Sequence, residues 1–215
     1  MPVSPVQTTH ASAFAPFRYP AFRAIWTANL FSSIGSMIQS VGAAWLMTEL
    51  TTSHLLVALV QASATIPILL LGMFAGAIAD NFDRRRVMMA AQVGMLIVSA
   101  VLAVLAFTDN IGPWSLLALT LMVGIGTALN GPAWQASVRL QVGPTDLPQA
   151  ISLNAISFNL ARSVGPALGG ILISLWSTSL AFALSAISYL GMIVVLAMWR
   201  PESLPPVREP MMKAI

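Results

Sequence analysis

The chain has no cysteine, two histidines and very little charge: 7 acidic and 10 basic side chains in 215 residues. Each scarcity excludes something. Without cysteine there is no disulfide and no thiolate metal site. The histidines, His10 and His54, lie in the N-terminal tail and in a polar turn, where neither can partner a buried serine nucleophile. Clustered His, Asp or Glu at depth, which metal-assisted hydrolysis needs, is missing from the apolar runs. Those runs also hold no ring of charge and no filter-like loop of the kind a channel uses. An intramembrane enzyme and a channel are thereby set aside, and no cofactor or metal is expected. A soluble domain carries roughly 25% charged residues, far above the 8% found here. No basic-then-apolar leader with a small-residue cleavage site opens the chain.

What is present is hydrocarbon. The chain is 57% hydrophobic with a mean hydropathy of +0.83. Its apolar runs are long enough to cross a ~30 Å bilayer core, which takes ~20 helical residues. Composition therefore gives an all-α membrane protein with six transmembrane helices, spanning about 22–47, 55–79, 87–107, 114–134, 151–176 and 180–199. Residues 1–20, rich in Pro, Ser, Thr and Ala, read as a mobile tail, with Phe14–Tyr19 suited to the membrane interface. The transmembrane domain covers 21–200; Pro201–Pro206 then breaks the helix, and a charged tail runs to Ile215. The third span is apolar apart from Gln92 and Ser99 and is expected to face lipid most.

Charge sets the topology. Five charges fall between Asp80 and Arg86, a cluster that hydrocarbon cannot hold, so it is a turn at a membrane face. The other basic residues outside the spans lie in the tail or at its junction with span one, at Arg139 between spans four and five, or after Trp199. All these places share one side if six spans are threaded in order. The positive-inside rule makes that side, and both termini, cytoplasmic, which in a bacterium means a multi-pass protein of the inner membrane. The basic balance is thus a topology signal, and no nucleic-acid partner is expected.

Polar residues inside the spans mark the candidate site. Asn29, Ser32, Ser33, Ser36, Gln39 and Ser40 fall on one helical stripe, which turns away from lipid toward neighbouring helices or a wet cavity. In span four Thr127, Asn130, Gly131 and Trp134 share a face. Span five carries Asn154 and Asn159, then Arg162 ~16 Å along the helix. A charge at that depth costs at least ~2.5–3.5 kcal/mol, so Arg162 faces water, an anionic substrate, an acidic residue of another chain, or carbonyls freed by a nearby proline. Asp83 is placed to cap the third helix. Asp146, with Gln149 three residues on, looks like a capping box for the fifth.

Two motifs point to a family. Gly76-x-x-x-Asp80-Asn81-x-Asp83-Arg84-Arg85 resembles the signature between helices two and three of the major facilitator superfamily of secondary transporters, Gly-x-x-x-Asp-Arg-x-Gly-Arg-Arg, departing at Asn81 and Asp83. Ala161-x-x-x-Gly165-Pro166-x-x-Gly169-Gly170 is similar to the helix-five motif of that superfamily's antiporters, with Ala161 for the leading glycine. The wording of Trp26-Thr27-Ala28-Asn29-Leu30 and of Asn159-Leu160-Ala161-Arg162-Ser163 resembles one branch, the transmembrane secretion effectors and enterobactin-exporter-like proteins.

The resemblance implies a mechanism. Members have two six-helix halves, each a 3+3 inverted repeat, rocking about a cavity near mid-membrane. This chain would be the N-terminal half, with 201–215 the start of the central cytoplasmic loop, cut in mid-course. Its substrate cavity would be lined by Asn29, Ser33, Ser36, Gln39, Asn130, Asn159 and Arg162. Gly76, Asp80, Asp83, Arg84 and Arg85 would form a cytoplasmic gate, with Asp80 holding a neighbouring helix end. Gly165, Pro166, Gly169 and Gly170 would be the helix-five hinge. The implied activity is proton-coupled efflux of a small organic molecule such as a drug or siderophore. The implied partners are the lipid bilayer, that substrate, and a missing C-terminal half or a second copy. The alternative is a non-transporting remnant or a membrane interaction protein.

Overall fold

The computed structural model of the chain describes residues 12–199, with side chains of 73–81 left aside. It is all-helical: α1 (Pro20–Leu50), α2 (His54–Asn81), α3 (Arg84–Phe107), α4 (Pro113–Ser137), α5 (Leu147–Leu175) and α6 (Thr178–Met198), with short 3-10 turns at Ala15–Arg18, Val138–Leu140 and Pro144–Asp146. All six helices are long and apolar enough to cross a membrane. Local chemistry explains their ends. Proline occupies the first turn of α1, α4 and α5, where its missing N–H costs nothing. The Asp83 carboxylate caps α3, accepting from the backbone N–H of Arg85 at 2.9 Å and Arg86 at 3.3 Å. Ser177 does the same for α6 through Leu180 N–H. Helices α2 and α5 continue through Pro67 and Pro166.

The packing has an internal symmetry. The main contacts pair α2 with α4, α3 with α6, α1 with α6, α1 with α5, and α3 with α4. Exchanging α1–α3 for α4–α6 turns α2/α4 into α5/α1 and α3/α4 into α6/α1, and returns α3/α6 to itself. The main pairings are therefore those of two three-helix repeats that exchange with one another, the 3+3 arrangement that the family resemblance implies. Small residues allow the close pairs. Gly165 and Gly169, one turn apart on α5, meet Met37 and Ile38 of α1 so tightly that a Cβ at Gly165 would overlap the Met37 side chain. The equivalent pair uses Gly124 of α4, against the Ser63 and Ala64 carbonyls of α2.

Two apolar clusters close the ends of the bundle. One joins Ala43, Leu46, Met47, Leu102, Leu116 and Phe182. The other joins Ile25, Met88, Trp134, Met192, Leu196 and Trp199 near the charged turn. Between them lies the polar middle.

Three expectations change here. The segment before α1 is pinned from Ser12 onward: Phe17 stacks edge-on against Trp26 at 5.1 Å, and Arg18 and Tyr19 both bind the Asp146 carboxylate. Asp146, 2% exposed, makes no side-chain cap on α5; its carboxylate is turned to those two donors, both of which bind Oδ2. Nor, among the described residues, does α3 face outward most. The most apolar window of α2 is 11% buried against 28% in α3, because Gln92 and Ser99 turn α3 inward.

Candidate functional site

At mid-depth the polar faces of α1, α4 and α5 converge on a small cavity of about 100 Å³. Helix α1 contributes Asn29, Ser32, Ser33 and Ser36; α4 contributes Thr127 and Asn130; α5 contributes Arg162. Tyr189 of α6 and Gln92 of α3 close the wall facing the bundle centre. The helical repeat explains the convergence. Asn29, Ser33 and Ser36 recur at the spacing that keeps one face of α1, and that face is held by α5 packing at Gly165.

The hydrogen bonds divide the polar stripe of α1. Ser99 of α3 donates to Gln39 Oε1 at 2.7 Å, both groups buried. Ser32 donates to Gln92 Oε1 at 3.5 Å. These two rungs, seven residues apart on each helix, tie α1 to α3 through the bundle interior. Gln39, whose carbonyl oxygen accepts from Ser99, does not line the cavity, contrary to the expectation for it, whereas the Ser32–Gln92 rung borders it. Asn159 is also outside. It is exposed, and its amide donates to the Ala155 carbonyl of its own helix at 2.9 Å.

The cavity wall is less satisfied. Asn130 Oδ1 and the Tyr189 hydroxyl are buried without a hydrogen-bond partner. Unpaired buried groups of this kind cost about 1–3 kcal/mol each, a cost that a bound ligand or water relieves. Arg162 is exposed, its guanidinium 5.5 Å from the Phe158 ring centre. The ion pair among the described residues is Arg18–Asp146, at the membrane face. There the Tyr19 hydroxyl and the Asp146 charge hold the Arg18 guanidinium above its already high ordinary value. At mid-depth the site thus offers one cation, amide and hydroxyl groups, and the flexible thioethers of Met37 and Met95.

The expected gate is partly placed. Arg85 Nε donates to the Leu196 carbonyl at 2.6 Å and Nη2 to Ala197 at 2.8 Å, so it caps the C-terminal end of α6. A cation at that end also meets the negative pole of the helix. Arg84 is half-buried beside it. Gly76 and Asp80 lie among the side chains outside the described residues, as do Arg200 and the segment 201–215. The helix-five motif divides by face. Ala161, Gly165 and Gly169 are buried toward α1, whereas Pro166 and Gly170 are exposed on the opposite side.

Comparison with known proteins completes the picture. Residues 11–215 match the family model described as transmembrane secretion effector. The chain belongs to that family of major facilitator transporters. The staphyloferrin A transporter of Staphylococcus aureus is 31% identical over 159 residues, 73% of this chain and 40% of its own length. Macrolide efflux protein A of Streptococcus pyogenes is 26% identical across 80% of this chain and 42% of its own. The multidrug efflux pump Tap of Mycolicibacterium fortuitum is 28% identical across 75% and 42%. The chain spans about two fifths of the length of these relatives. Its family is one of membrane transporters and not of enzymes.

Of the cavity residues that were not site candidates from sequence, Tyr189 and Gln92 bear most on the polar wall. Tyr189 sits in a span that reads as plainly apolar, yet it is one of only two tyrosines in the chain. A phenol at mid-span is a usable signal, because its hydroxyl needs a partner there. Gln92 carried the same signal and was outweighed by the greasiness of its neighbours.

Proposed function

We propose that this chain forms the N-terminal half of a secondary exporter that moves a small organic molecule, a drug or a siderophore, out across the inner membrane by alternating access. The observation that carries it is the mid-depth cavity, where Asn29, Ser33, Ser36, Asn130 and Arg162 meet with unsatisfied polar atoms on the wall. The named substrates of the relatives support the substrate class: a siderophore, macrolides and multiple drugs. The second wall comes from six further spans or a second copy, consistent with the share of its relatives that the chain covers. Both termini and the Arg84–Arg86 turn are cytoplasmic, supported by the gathering of basic residues at one end.

The cycle rests on bistable seams. The Ala161, Gly165 and Gly169 face lets α5 slide closely on α1, and Arg85 holds the end of α6 to the start of α3. Asp80, Asp83 and the two arginines form the cytoplasmic gate with the second half. The cycle is coupled to protons, as the family resemblance implies.

The test is accumulation of a labelled macrolide or siderophore in cells expressing the chain together with its complementing half. Arg162→Ala and Asn130→Ala lower export at least tenfold at equal membrane abundance, and a protonophore abolishes it. Wild-type export by both variants would overturn the site assignment.

A further inference from the structure

Outside the site just described, the outer face of the bundle carries a groove between α3 and α4 of about 580 Å³. Its floor is one line of α3, at intervals of four residues: Arg86, Ala90, Gly94 and Val98. Met122 and Ile125 of α4 form the far wall, both exposed. The small side chains make the depth. A Cβ added at Gly94 meets nothing within 4 Å, so the space beside it is open.

The ends of the groove differ. At the charged turn it is bounded by Phe82, Asp83 and Arg86. The Asp83 carboxylate is turned to the α3 backbone, where it caps Arg85 and Arg86 N–H, while the Arg86 side chain is exposed. From Arg86 to Val98 the line runs ~18 Å at 1.5 Å per residue. That is close to one leaflet, half of a ~30 Å hydrocarbon core. A cation therefore stands at headgroup level and an apolar channel descends from it by about the depth of one acyl chain. A second groove, about 690 Å³, lies between α1, α5 and α6 and has no charged side chain in its lining. It offers the same hydrocarbon fit without the cation.

We propose that the α3/α4 groove binds one anionic phospholipid, its phosphate on Arg86 and one acyl chain along Ala90, Gly94 and Val98. Hydrocarbon contact retains any lipid there, and the guanidinium selects the anionic headgroup through charge-assisted hydrogen bonds to phosphate oxygens. The site is separate from the transport cavity, so it stands or falls independently of the exporter function.

The experiment is native mass spectrometry of the purified 215-residue chain in detergent, equilibrated with equal amounts of palmitoyl-oleoyl phosphatidylglycerol and the matching phosphatidylcholine. Wild type retains one phosphatidylglycerol about fivefold over phosphatidylcholine, the factor that ~1 kcal/mol per basic residue at an anionic surface gives. Arg86→Gln brings the ratio to parity. Gly94→Leu fills the channel and removes both lipids. Gly191→Leu, at an equally open position in the uncharged groove, leaves the ratio unchanged and serves as the folding-matched control. Equal retention of the two lipids by wild type overturns the proposal, as does an unchanged ratio in Arg86→Gln. Displacement by glycerol phosphate, which has no acyl chain, would also overturn it. So would a chain that dimerises and carries no lipid, since a second copy would then cover the groove.

Discussion

The Gln39–Ser99 rung between α1 and α3 and the cavity face of the same α1 helix are built from similar polar residues, yet they behave differently. Gln39 and Ser99 are both buried and satisfy each other at 2.7 Å. Three to ten residues earlier on the same stripe, Asn29, Ser33 and Ser36 border open space. Across that space, Asn130 and Tyr189 keep polar atoms unpaired. A polar side chain in a membrane bundle is glue where a partner of matching reach lies opposite. It is a binding surface where the opposite helix leaves a gap. The difference is set by the neighbour and not by the residue.

That comparison can be broken first at the seam holding the cavity face in place. Gly165→Leu drives a branched side chain into Met37 and should destabilise the bundle by ~3 kcal/mol, the upper range for overpacking. Gly170→Leu, in the same motif but facing open space, should stay within ~0.5 kcal/mol. Thermal unfolding in detergent reads both, and equal effects would show that α5 does not pack through its glycine face.

Next comes the rung itself. Ser99→Ala strands the buried Gln39 oxygen and should cost ~2 kcal/mol, within the usual range for an unsatisfied buried group. The double variant with Gln39→Leu should recover part of that loss, because both partners are then apolar. A strictly additive double-mutant cycle would refute the pairing.

Smaller still is the expected effect of Ser36→Ala on stability, under ~0.5 kcal/mol, with export reduced. Ser99→Ala should show the reverse, lower stability and export per folded molecule preserved. Were the two variants to change both quantities alike, the division of the stripe would be wrong. At the charged face, Arg85→Met frees the last carbonyls of α6 and should cost ~1 kcal/mol, read as a shift in unfolding temperature and as faster amide exchange at Leu196 to Trp199.

The stripe also shows how far a sequence carries. The period of Asn29, Ser33 and Ser36 predicts an inward face on α1, and the structure puts those residues on a cavity. The same period includes Gln39, which the structure removes to a hydrogen bond with α3. One-dimensional spacing fixes which residues share a helix face but not which neighbour stands opposite each turn. Asp146 teaches the same point. Its position before α5 is that of a capping residue, yet its carboxylate turns to two donors from the segment before α1, both on Oδ2. Long-range partners such as Arg18 and Tyr19, more than 120 residues away, leave no local pattern.

The sequence by itself determined the class of this protein, its six apolar helices, the Asp83 cap of α3 and its family, because each depends on composition or on neighbours within a few residues. The tertiary structure alone decided the exchange symmetry of the packing, the division of one polar stripe into rung and cavity, and the inward turn of Gln92 and Tyr189. Those depend on what lies across a helix–helix seam, where a few ångströms separate a satisfied hydrogen bond from an open site.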